Sequence, residues 1–358
     1  MVLKKSILKQ TSLCYKKLSM SKKNSSVNLK NRFKDNKDLS QIFLNFKDKL
    51  DTQKKDKYVV AVSGGPDSLS LVALTKAYSQ IRKTKFYYVL IDHNIRKNSK
   101  QEAQQVKKLL KKKNINLKIY LNTKKITKNI QAKARKTRYE ILVNFCKKKG
   151  AKILLTAHNL EDQVETFFMR LSRGSGLRGL SAMKSLSKIN SKVSLYRPLL
   201  DTKKKFLAKI AKNTFGKYFK DPSNKSEKYL RTKVRNLKKP LEKSGIKYEQ
   251  IFKSIQNLSL SKTTLEEYLN KISKELIKKK NKEIVINFNK YKELSNVSKM
   301  AVINDSIKRL KKNYYDLRSK KINNLIKNLE KLEFKKTTLG GCVFFKKGDN
   351  LCLKDEKL

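Results

Sequence analysis

The chain has 358 residues, 38% of them hydrophobic, and a formal charge of +60 from 89 basic and 29 acidic residues. That length suits one large or two ordinary domains, and such a charge imbalance self-repels unless a polyanion is present, so nucleic acid is the first partner to consider. Four cysteines without a Cys-x-x-Cys pair and only two histidines argue against an intrachain zinc or iron–sulfur site, and no apolar run reaches the roughly 18 residues of a membrane helix.

Much of the positive excess is lysine beside many Asn and Ile, which compositional drift alone would produce, so blanket charge does not say which nucleic acid binds or where. The cysteine usage fits a reducing, cytoplasmic setting. Residues 1–34 hold no acid and a single arginine, Arg32, and read as a basic arm rather than an Arg-rich presequence; Met20 is an alternative start. Residues 1–56 are thus an arm and lead-in.

From residue 58 apolar runs alternate with helical patterns. YVVAVSG (58–64) reads as a strand and 67–80 as a helix; FYYVLIDHN (86–94) as a strand and 99–113 as a helix. INLKIYL (115–121) is a third strand before a helix near 129–149, and KILLTAH (152–158) a fourth before 160–172. Such spacing predicts βαβ units around a parallel, doubly wound sheet. VSLYRPL (193–199) and a helix near 203–214 extend it, closing an α/β domain over 57–222. Beyond it, 226–244 and 247–280 read as helices, IVINFN (284–289) as a hairpin-like strand, 298–332 as helical, and the end as two short strands around Gly348. The expected division is a connecting helix over 223–245 and a smaller, mostly helical domain over 246–358 that ends in short strands.

Ligands of open parallel sheets bind beyond the carboxyl ends of strands, and the polar residues of this chain collect there. The first strand ends in Ser63, Gly64, Gly65, Pro66, Asp67 and Ser68. The second ends in Asp92, His93 and Asn94, and the fourth runs through His158 into Glu161, Asp162 and Glu165. In the first turn, two glycines allow backbone N–H groups to face an anion, and a helix start adds its positive end. The lysine of a Walker A loop is missing. A plain turn with a Ser or Asp cap is the competing reading. Asp162 and Glu165 lie three apart, on one helix face.

The motifs make a family resemblance specific. SGGPDS resembles the pyrophosphatase loop of the N-type ATP pyrophosphatases, the PP-loop superfamily. IDHNIR, AKARKTRY, TAHNLEDQVET, MRLSRGSGLRGLSAM, YRPLL and DPSN followed by Arg231 and Arg235 resemble one family within it, the tRNA(Ile)-lysidine synthetases. The likeness covers residues 57–240, with a weaker one at TLGGC near 339; Thr232 stands where many members have Asn.

The resemblance implies an adenine nucleotide alpha hydrolase-like fold and a ligase. In this reaction ATP adenylates the wobble cytidine of tRNA(Ile) with a CAU anticodon, and free L-lysine then displaces AMP to form lysidine. It implies that Ser63, Gly64, Gly65, Pro66, Asp67, Ser68 and His93 bind ATP, and that Asp67 and Asp92 hold Mg²⁺. Asp162 and Glu165 would meet the lysine. Arg138 and Arg231 would face the phosphates of the adenylated intermediate and act with Asp67 and Asp92 in catalysis, while Arg173 and Arg235 would contact RNA and 246–358 would bind tRNA. Either His93 or His158 could take the proton of the attacking amine. A homodimer stays open. A tRNA sulfur transferase on the same fold and a non-catalytic basic RNA-binding protein are the competing functions.

Overall fold

The computed structural model describes residues 33, 36–95, 98–122, 130–219, 230–311, 317, 319–331, 334 and 336–356. Most of the basic arm, Met20, Arg96 and the DPSN motif lie outside these residues. The described chain divides into two compact units, one up to Ile255 and one from Gln256.

The first unit opens with a helix that the sequence reading left as lead-in, α1 (Lys37–Asp51). Asn36 caps it by accepting the Leu39 N–H, and Leu39, Phe43, Phe46 and Leu50 form its buried stripe. The sheet then follows as β1 (Lys57–Val62), α2 (Pro66–Ser79), β2 (Lys85–Asp92), α3 (Ser99–Lys111), β3 (Leu117–Leu121), α4 (Ile130–Lys149) and β4 (Ile153–Leu155). α5 (Leu160–Leu171), the short α6 (Leu177–Leu180), β5 (Leu186–Lys188), β6 (Ser194–Tyr196) and α7 (Lys204–Phe215) complete it. The strand order is β3-β2-β1-β4-β6-β5; the pairs are parallel except that β5 runs antiparallel to β6.

Side chains alternate across a strand, so a sheet covered on both faces needs apolar residues at every position. Tyr58, Val60 and Val62 of β1 pack on one face with Leu69, Leu110 and Leu207 from α2, α3 and α7, together with Phe46 of α1. Val59 faces the other way, toward Leu142, Phe145 and Cys146 of α4. The fold is therefore the expected parallel, doubly wound α/β sheet. Its strand order reverses between β1 and β4, which puts the switch-point crevice at their carboxyl ends.

The fourth strand is shorter than expected, because Thr156–Asn159 leave the ladder as a polar turn. The stretch expected as one helix to residue 244 contains two, α8 (Leu230–Asn236) and α9 (Lys238–Lys243). Pro240 has no N–H to give the Asn236 carbonyl, so the first helix ends there. A long helix, α10 (Tyr248–Leu276), runs on from these.

The second unit contains β7 (Ile277–Lys280), β8 (Glu283–Asn287), α11 (Phe288–Lys292), α12 (Asn296–Leu310), α13 (Ser319–Leu329), β9 (Lys336–Leu339), β10 (Cys342–Lys347) and β11 (Asn350–Asp355). The strands form an antiparallel sheet in the order β7-β8-β11-β10-β9. Ile277–Lys280, expected as the end of a helix, is a strand because Ile277 pairs with Ile286 across the hairpin at Asn281. The terminal segment has three strands where two were expected. Ile284, Ile286, Phe344, Leu351 and Leu353 on the sheet pack against Val302, Ile303, Ile307, Ile322 and Leu329 on the helices.

Leu74 in α2 is fully buried. Leu74→Ala is expected to lower the stability of the first unit by about 2–5 kcal/mol, read from its urea transition.

Candidate active site at the carboxyl ends of β1 and β4

The turn after β1 is held by its own hydroxyls. The Ser63 N–H and Ser63 Oγ both donate to Ser68 Oγ at 3.1 Å, and Ser68 Oγ donates to the Gly65 carbonyl at 3.0 Å. Gly64 has φ +82°, where side chains are strained, and a Cβ there would lie 2.6 Å from Val106 Cγ2. Gly64 O accepts the Phe219 N–H at 3.0 Å. Pro66 starts α2 where an N–H is not needed, and Asp67 sits in the first turn. One oxygen of Asp67, Oδ1, is buried without a hydrogen-bond partner. Burial above all pushes the carboxyl up to about 6; Asp162 and Glu161 add to the rise, while Lys204 and Arg235 oppose it.

At the end of β2, Asp92 is 4% exposed, and its Oδ1 accepts the Asn94 N–H at 2.9 Å. His93 Nε2 accepts from Arg138 Nε at 3.3 Å, and its Nδ1 is buried without a partner. Burial, then the Arg138 charge, lowers the imidazole to about 4. His158, after β4, shares a 2.9 Å hydrogen bond through Nδ1 with Thr156 Oγ1. It falls to about 3, through burial and then Arg197, Arg135, Arg231 and Arg138. Both histidines are neutral at pH 7.

α5 begins with a capping box: the Asp162 N–H donates to Asn159 Oδ1 at 3.0 Å, and the Asn159 N–H donates to Asp162 Oδ2 at 3.1 Å. The Glu165 side chain is 3% exposed, and a buried carboxylate needs partners. Arg231 Nε donates to Glu165 Oε2 at 2.8 Å, Arg235 Nε to Oε1 at 2.6 Å and Arg235 Nη2 to Oε2 at 3.0 Å. Arg231 Nη2 reaches Asp162 Oδ1 at 3.3 Å. Residues expected to meet three different ligands are thus gathered in one ion-pair cluster. Glu161 stands apart, capping α7 by accepting the Lys204 N–H at 2.8 Å.

A cavity of about 400 Å³ adjoins this cluster, lined by Glu161, Glu165, Lys204, Arg235, Lys238 and Tyr248 among others. Lys204 and Lys238 carried no functional expectation, because nothing in a lysine-rich sequence sets them apart. Arg173 is exposed just beyond α5, and its N–H donates to the Arg170 carbonyl at 3.1 Å.

A family model described as a PP-loop domain matches residues 34–241. The chain belongs to the PP-loop domain family. It is 41% identical over 192 residues to the tRNA(Ile)-lysidine synthase of Orientia tsutsugamushi, a match that covers 53% of this chain and 43% of that protein. With the tRNA(Ile)-lysidine synthase of the Wolbachia of Brugia malayi it shares 40% identity over 199 residues, covering 55% and 46%. The chain spans about half the length of the curated relatives it matches. A solved U34-tRNA thiolase from Methanococcus maripaludis superposes with a TM-score of 0.51 at 22% identity, over 62% of this chain and 78% of that one, a likeness of fold.

The PP-loop match begins at residue 34, so it includes α1, whose buried stripe belongs to the core of the sheet. In this PP-loop site Asp67 is a carboxyl pushed upward by burial. Its folded pKa is raised, so it favours the protonated fold, and the resulting penalty grows as pH rises from about 4 through 6. Without nucleotide or divalent cation, Asp67→Asn is expected to be more stable than the parent above pH 6, by up to about 3 kcal/mol. The difference should shrink toward pH 4.5; urea titrations at pH 4.5 and 7.5 measure it.

Proposed function

We propose that the chain is a tRNA(Ile)-lysidine synthetase, acting on the wobble cytidine of the CAU anticodon with ATP and free L-lysine in the cytoplasm. The observation that carries the reading is the meeting, at one switch point, of the glycine turn bearing Asp67 with the carboxylates of Asp162 and Glu165. The names of the relatives and the motifs shared with that family point the same way. Among the described residues no helix is long and apolar enough to cross a membrane.

In this reading the C2 carbonyl oxygen of the cytidine attacks the α-phosphorus of ATP, the bond to the β-phosphate oxygen breaks and pyrophosphate leaves. The lysine side-chain amine then bonds to C2, the C2–O bond breaks, and AMP departs with its electron pair. The turn at Ser63–Ser68 would hold the leaving pyrophosphate with backbone N–H groups and the positive end of α2. Asp67, buried and with one unpartnered oxygen, fits a Mg²⁺ ion, and Asp92 is the second candidate. When bound, that ion neutralises phosphate charge.

Arg138, braced by His93, is poised for a phosphate oxygen. Arg231 pairs with Asp162 and Glu165, and Arg235 with Glu165, and these are the carboxylate oxygens for which an incoming ammonium would compete. In the ligand-free site burial and neighbouring arginines keep both histidines neutral and weakly basic.

A sulfur-transferring reading would need a reactive thiol. Among the described residues of the first unit the cysteine is Cys146, which is fully buried under the sheet and pushed up to about 12 by that burial.

Labelled lysine should enter a CAU-anticodon isoleucine tRNA transcript only with ATP and Mg²⁺ present. No incorporation, while the Orientia enzyme succeeds in parallel, would sink the reading. Asp67→Asn should abolish pyrophosphate release yet retain tRNA binding; a variant that lost both together would assign Asp67 a folding role instead.

A further inference from the structure

Two side chains of α5 with no part in the chemistry above are fastened to the glycine-rich segment that follows the helix. Gln163 is 5% exposed, and its amide is used at both ends: Nε2 donates to the Met183 carbonyl at 2.9 Å, and Oε1 accepts the Met183 N–H at 2.8 Å. This is the pairing that two adjacent strands make, supplied here by one side chain. Seven residues along the helix, Arg170 is half-buried, and its Nη1 donates to the Gly179 carbonyl at 2.7 Å and the Ala182 carbonyl at 2.8 Å. The Gly179 carbonyl, within the short α6, also accepts the Ala182 N–H at 3.1 Å, and the Ala182 carbonyl lies just beyond that helix, so Arg170 grips the chain where α6 ends.

The segment is compact in itself. A Cβ at Gly179 would lie 2.5 Å from the Ser175 Cβ, so only glycine allows the chain to fold back there. The Ser175 N–H returns to the Arg170 carbonyl at 3.1 Å, and Ala182, at φ +51°, is buried with Leu160 and Val164 of α5. Arg173 and Arg178 are exposed on its outer side. α5 thus carries Asp162 and Glu165 on one side and holds two arginines of the following segment at a fixed register on another.

We propose that Gln163 and Arg170 are positioning residues that lock the 173–183 segment onto α5, so that its outer face meets an RNA backbone at a set distance from Asp162 and Glu165. This rests on the RNA-modifying reading above. The segment's basic outer face would contact phosphates, which give affinity and orientation, and the clamp would fix where along the strand that contact falls. ATP would be held by the turn at Ser63–Ser68, which the clamp does not touch.

Gln163→Met and Arg170→Met keep side-chain bulk and remove the clamp. In the free full-length protein, amide exchange read by mass spectrometry over 174–183 should quicken about tenfold or more in either variant, since each change removes two hydrogen bonds. Exchange over β1 and α2 should stay as in the parent. Affinity for the CAU-anticodon transcript should fall about tenfold while ATP affinity stays within about twofold, and Arg170→Lys should recover part of the loss. Unchanged exchange over 174–183 overturns the clamp. Equal loss of ATP and RNA binding makes these residues general supports of α5, and faster exchange with unaltered RNA affinity removes the role in RNA positioning. A parent that binds no transcript overturns the reading beneath it and the RNA role together, whereas the exchange data still decide whether the clamp exists.

Discussion

A carboxylate that is 3% exposed persists as an ion only if charge meets it, and the arrangement around Glu165 follows from that requirement. Its oxygens take three hydrogen bonds from Arg231 and Arg235, two arginines one helical turn apart on α8. The arginines are themselves 31–39% exposed, so the deeply buried partner is Glu165, and removing either arginine leaves its carboxylate short of a counter-charge. The cluster therefore does two things at once. It joins α8 to the helix that starts at the switch point, and it gives two acids cationic partners in a chain where acids are outnumbered three to one.

Electrostatic pressure inside the site runs in opposite directions over short distances. Asp67 is driven toward its neutral form by burial and by the other acids, while His93 and His158 are kept neutral by burial and by arginines. A site in which an acid and two bases all resist ionisation is short of counter-charge and of water. Phosphate and a divalent cation would supply what it lacks. In the function proposed above, that imbalance is what a ligand carrying both signs would relieve.

The sheet was legible because its central strands are buried on both faces, so β1 and β2 appear as apolar runs bounded by turns, while β3 at the edge is read from LKIYL despite its exposed Lys118. α1 was equally written, in Asn36 and the spacing of Leu39, Phe43, Phe46 and Leu50, but was masked by the lysine-rich arm before it. Ile277–Lys280 reads as a helix end, since three lysines favour helix over strand, and only its pairing with β8 decides otherwise. At the site, the turn residues and the acids of α5 stood out as motifs. Their pairing with Arg231 and Arg235 did not, because the partners are about seventy positions apart and a positive chain offers arginines and lysines everywhere. The two-ended grip of Gln163 was hidden for another reason: a glutamine inside a motif full of acids shows nothing of which backbone it will hold.

The bond from the Phe219 N–H to the Gly64 carbonyl has a further consequence. It joins the glycine turn after β1 to a stretch of chain 155 residues later, and both of its atoms belong to the main chain. Substitutions other than proline at 219, which would remove the N–H, leave both atoms in place. A lineage whose surface drifts toward lysine can therefore rewrite most of its exterior and still inherit this fastening intact. Gly64 is held more tightly, by its φ of +82° and because a Cβ there would strike Val106.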